Sequence, residues 1–142
     1  MTPWPLPITH RAKQAGKTLI AGPLDPEHGK ASAGVGILCS DELKPYPIPK
    51  PTDAYRDAFE TGRCMILNFD LEKDTHPIGI VYGWTGGAKG TIAADRTNDL
   101  LDIMLEQMEL LPEGPKIIAG DFNGTHESIQ HLNSMTTKTR LD

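Results

Sequence analysis

"RCMILNFDLEKDTHPIGIVYG", residues 63–83, decides how the chain is built. Its first part, 63–71, alternates strictly. Met65, Leu67, Phe69 and Leu71 point one way, and Cys64, Ile66, Asn68 and Asp70 the other, the period of a β-strand. A polar run, "EKDTHP" (72–77), separates it from a second apolar run, "IGIVYG" (78–83). Together they predict an antiparallel hairpin with a polar turn.

Toward the carboxyl end, "WTGGAKGT" (84–91) reads as a glycine-rich loop and 93–111 as a helix. Leu100, Ile103, Met104, Met108 and Leu111 form its apolar stripe. Asp95 and Asp99 near its start suit the helix dipole, and Pro112, Gly114 and Pro115 end it. "KIIA" (116–119) is short and continuously apolar, which predicts a covered, central strand. A helix between two apolar strands argues for a mixed α/β fold with the helix on a sheet face.

Toward the amino end, "KTLIA" (17–21) is a short apolar run stopped by the turn formers of "GPLDPEHG", and "AGVGILC" (33–39) reads as a buried strand. "KPYPIPKPT" (44–52) has proline at every second position from 45 to 51, so it predicts an extended surface connector. Residues 1–22 carry Arg11, Lys13 and Lys17 and no acid, which reads as a solvated terminus. The tail, 134–142, has no periodicity.

The 142 residues suit one domain. A net charge of −5 argues against a broad basic surface that tracks nucleic acid. Cys39 and Cys64 have no Cys-x-x-Cys or zinc-ligand spacing, so two buried free thiols in a reducing compartment are expected. No apolar run spans a membrane, and "MTPWPLPITHRAKQ" lacks a signal-peptide core. An intracellular protein, cytoplasmic or nuclear, is therefore expected. Other patterns fail. "GGAKGT" lacks a phosphate-loop ending, "GVG" lacks the third glycine of a dinucleotide site, and His126 and His131 are five apart and share no helix face.

Chemistry concentrates after "KIIA", in "GDFNGTHES" (120–128). Ligand-binding residues in α/β sheets gather at carboxyl ends of strands, where Asp121 and Asn123 lie. With extended backbone both would face one way, while Phe122 anchors the segment in the core. Gly120 leaves room for a close approach. A carboxylate can polarise a water or hold a metal, and a carboxamide can donate to a phosphate oxygen without adding negative charge. The same composition also suits an ordinary turn, since "NG" is a strong turn dipeptide.

"IIAGDFN" resembles the Gly-Asp-x-Asn segment of the endonuclease/exonuclease/phosphatase superfamily, the deoxyribonuclease-I-like fold. "AGVGILCS", "TGRCMILNFD", "IGIVYGWTG" and the helix bearing Arg96 resemble further family segments in the same order, over roughly residues 31–128. The resemblance implies a two-sheet sandwich flanked by helices, of which the central portion is present. It implies one partial domain over 1–142, with the family-like core at about 31–128. It further implies Mg²⁺-dependent hydrolysis of phosphoesters, most of all nuclease-like cleavage of nucleic acid. On the matching positions, Asp121 would orient or activate water, Asn123 would bind the scissile phosphate, and Tyr82 would bring its hydroxyl near it. Trp84, where the family more often has a small residue or proline, becomes a candidate substrate contact.

The departures are as informative. The family's metal-holding Glu and its carboxyl-terminal Ser-Asp-His have no counterpart here. "DTH" (74–76) lies in the predicted turn, about 20 Å of strand from Tyr82, and cannot substitute. No metal ligand is therefore assigned. The chain alone is expected to be weakly active or inactive, or a non-catalytic phosphate- or partner-binding remnant. Uncovered sheet edges are expected to promote self-association.

Overall fold

The computed structural model describes residues 6–27, 34–86, 91–125 and 127–129. The polar tail, His126, His131 and part of the 84–91 loop lie outside them. The chain is a mixed α/β protein, with two sheets and three helices among the described residues.

Helix α1 (Leu6–Gln14) and strand β1 (Lys17–Ala21) replace the expected solvated terminus, with Ala12 buried. Strand β2 (Gly36–Ser40) pairs antiparallel with β1. The proline-rich stretch is a connector, as expected, but Tyr46–Pro47 also form a short strand, β3, on the edge of the larger sheet. An edge position tolerates proline because its missing N–H can face away from the ladder. Helix α2 (Asp53–Glu60) follows, which periodicity did not reveal. Thr52 caps it by accepting the Tyr55 N–H at 3.1 Å.

Strand β4 (Cys64–Leu71) pairs antiparallel with β5 (Asp74–Tyr82). The turn is tighter than the sequence suggested. Glu72 takes a φ of 58°, so residues 74–77 join the strand. Helix α3 (Thr91–Glu109) then crosses to β6 (Ile117–Asp121), which pairs parallel with β5. The larger sheet has the order β3-β4-β5-β6.

Strict alternation in β4 has its consequence here: both faces are buried. Met65, Leu67 and Phe69 meet Val35 and Cys39, with Ile20 and Ile37, from the β1–β2 layer. Cys64 and Ile66 meet Leu100, Leu101, Met104 and Met108 of α3, with Tyr55 and Ala58 of α2. The Ile66 N–H donates to the Tyr55 hydroxyl at 2.8 Å and pins α2 to the sheet. Both cysteines are free and buried. Among the described residues no helix is long and apolar enough to cross a membrane.

One expectation is corrected. Strand β6 is not central; it is the edge of the sheet. Ile118 packs against the α3 side, but Ile117 is 56% exposed and Ala119 is exposed. The β1–β2 layer covers β4 and leaves the same face of β6 open. A continuous apolar run therefore did not distinguish a strand covered twice from one covered once.

Candidate functional site

The parallel register places Tyr82 directly beside Asp121. Partners in a parallel ladder project to the same sheet face, here the β1–β2 side, where Tyr82 packs. Beyond this pair the two chains stay in contact. The Gly83 N–H donates to the Asp121 carbonyl at 2.7 Å. A Cβ at Gly83 would lie 2.4 Å from the Phe122 carbonyl oxygen, and one at Gly120 (φ +149°) would lie 1.9 Å from that of Val81. Two strand ends this close admit no side chain at either position.

Asn123 departs from the extended geometry expected of it. Its φ is 50°, a left-handed conformation that Asn tolerates. The Asp121 carboxylate accepts the Asn123 N–H at 3.0 Å, forming an Asx-type turn. Asp121 and Asn123 therefore do not share a strand face. The turn is realised, and it swings the Asn123 carboxamide toward β5, where Nδ2 donates to the Gly83 carbonyl at 2.9 Å. A carboxamide nitrogen carries two N–H donors, so this contact fixes the group and leaves donor capacity. Phe122 packs on the core, as expected. The loop beyond is held by Ile129, fully buried, and by Asn98, which donates to the Ser128 carbonyl at 3.0 Å.

Arg63 organises the junction, and the sequence reading gave it no role. Its guanidinium is buried and ion-paired to buried Asp25 at 3.0 Å. Nη1 donates to the same Gly83 carbonyl at 3.1 Å. The group also lies over the Tyr82 ring at 4.8 Å and the Trp84 ring at 4.9 Å. A lone arginine opening a strand apolar on both faces was the available signal, since such a charge needs a buried acid. Asp25 sits in a stretch that read as a turn.

Trp84 is half-buried against the core, and its backbone N–H donates to Thr97 Oγ1 at 3.0 Å. Besides Arg63, the Arg96 guanidinium lies over its ring at 4.4 Å. The indole thus contacts both guanidinium groups and also lines a cleft between α2 and α3. His76 pairs with Phe69 at the far end of β5, which keeps "DTH" away from the strand ends.

The donor set does not fit a resident Mg²⁺. Among the described residues no three His, Cys, Asp or Glu side chains converge. Asp121 brings one carboxylate to the strand ends, and it is already engaged by Asn123. No protein-family model matches the chain, and no curated protein matches it.

Proposed function

We propose that this chain carries the phosphate-contacting part of a deoxyribonuclease-I-like phosphoester hydrolase, nuclease-like in lineage. The observation that carries the reading is the register pairing of Tyr82 with Asp121, with Asn123 fixed against Gly83 beside them. A phenol, a carboxylate and a carboxamide from two strand ends suit a tetrahedral anion: two donors for its oxygens and an acceptor for a water. The larger sheet, with a second sheet on one face and helices on the other, is compatible with the layering the resemblance implies.

No step through Mg²⁺ is assigned, because among the described residues no set of three ligating side chains converges. Without that metal and a catalytic histidine the chain alone hydrolyses phosphodiesters weakly or not at all. The second reading, a non-catalytic phosphate- or partner-binding protein of the same lineage, is favoured by that incomplete donor set. A plasmid assay separates the two. Nicking with Mg²⁺ that EDTA stops and Asp121→Ala abolishes supports the enzyme. Absence of nicking, with oligonucleotide binding that Asn123→Ala weakens, supports the binder. Absence of both overturns the phosphate site.

A further inference from the structure

The chain of cations and rings does not end at Trp84. Tyr82, Arg63, Trp84 and Arg96 follow one another with guanidinium-to-ring distances of 4.8, 4.9 and 4.4 Å. Arg63 is closed off, matched by Asp25 and 3% exposed. Arg96 is different: its side chain is 44% exposed, and its ion pair is a long 3.4 Å contact to exposed Glu27. Arg96 opens onto a cleft of about 460 Å³ between α2 and α3. Ala58, Leu100 and Ile103 give that cleft an apolar lining, and Asp57 and Asp99 add carboxylates. A cleft of this size lies within the range that holds a small organic ligand.

We propose that this cleft is a base-binding subsite, in which Arg96, oriented by Trp84, stacks on a nucleobase of a single-stranded segment. The inference rests on the phosphate-site reading above and names where the neighbouring nucleotide goes. The chemistry selects a base over a phosphate. Two carboxylates repel an anion but accept N–H groups from exocyclic amines. A guanidinium plane stacks on a base as readily as on an aromatic ring. The apolar lining takes the rest of the heterocycle. The Arg63 guanidinium touches both the Tyr82 and the Trp84 rings, and Trp84 also lines the cleft, so the cleft lies close to the strand ends but on the helix side of the sheet. Cytosine, with its amino group, fits the acidic wall better than thymine.

The test uses the full chain and fluorescence anisotropy at one fixed low salt concentration. Labelled single-stranded oligo-dC, oligo-dT and an abasic strand of equal length serve as probes. Oligo-dC binds about ten-fold tighter than the abasic strand, with oligo-dT between them. Arg96→Lys keeps the charge and loses the plane. It draws oligo-dC toward the abasic affinity, while the abasic strand changes by less. Equal affinities for oligo-dC and the abasic strand, or an equal loss for both in Arg96→Lys, overturn the base subsite. Asn123→Ala weakens all three probes alike. If it changes none of them while oligo-dC still outbinds the abasic strand, the phosphate site fails and the base cleft stands. No binding to any probe overturns both.

Discussion

Removing the Asp25 carboxylate tests whether the Arg63 junction holds the strand ends together. Asp25→Ala leaves a guanidinium that is 3% exposed without its counter-charge. Breaking a buried pair from one side costs about 3–5 kcal/mol, because the remaining charge stays desolvated. The same carboxylate accepts the Glu27 N–H at 2.8 Å, and losing that bond costs about 1 kcal/mol more. Against a total stability of about 5–15 kcal/mol this is a large fraction. With a urea m-value of about 2 kcal/mol/M, the midpoint in a circular-dichroism titration falls by about 2–3 M. The double variant Asp25→Ala/Arg63→Met removes both charges and regains most of that loss. A single variant that moves the midpoint by less than about 0.5 M would refute the reasoning, since it would mean that water already reaches the guanidinium.

Three further outcomes follow from other parts of the fold. Gly120→Ala places a methyl 1.9 Å from the Val81 carbonyl oxygen at a φ of +149°; it lowers stability by at least about 2 kcal/mol, read by thermal melting, and an unchanged melt would mean the strand ends are not in contact. Burial pushes the Cys64 thiol up to about 12 from 9.0. The unfolded chain therefore loses a proton above pH 9 that the folded chain keeps, and stability falls by about 1.4 kcal/mol per pH unit from there toward pH 12. Cys64→Ala reduces the slope between pH 9 and 10 in urea titrations, and an unaltered slope contradicts the assignment. Strand β6 is an edge with Ile117 56% exposed, so light scattering shows association that grows with concentration and that Ile117→Lys suppresses; a wild-type monomer at every concentration refutes it.

Much of the scaffold was legible because period-two and period-3.6 patterns report burial directly. The β4–β5 hairpin and the stripe of α3 follow from Met65, Leu67 and Phe69, and from Leu100, Met104 and Met108. Two elements escaped for local reasons. Helix α2 is eight residues long, and its signal, Thr52 followed by Tyr55, Ala58 and Phe59, lay behind a proline run. Strand β6 was read as central because neighbours across a sheet leave no trace in one strand's composition. At the site, the juxtaposition of Tyr82 and Asp121 required a strand pairing that no single segment encodes. Arg63 was visible as an isolated charge, but its partner was not. The turn at Asn123 was weighed as an alternative to a site, whereas the structure uses the turn to aim the carboxamide.

The most direct measurement is an amide-correlation NMR titration of the ¹⁵N-labelled chain with a single-stranded oligonucleotide. The Asn123 side-chain amide and the backbone amides of Tyr82 and Gly83 are predicted to shift together with one dissociation constant. Shifts confined to other surfaces, or none at these three positions at saturating oligonucleotide, would contradict a phosphate-contacting site at the paired strand ends.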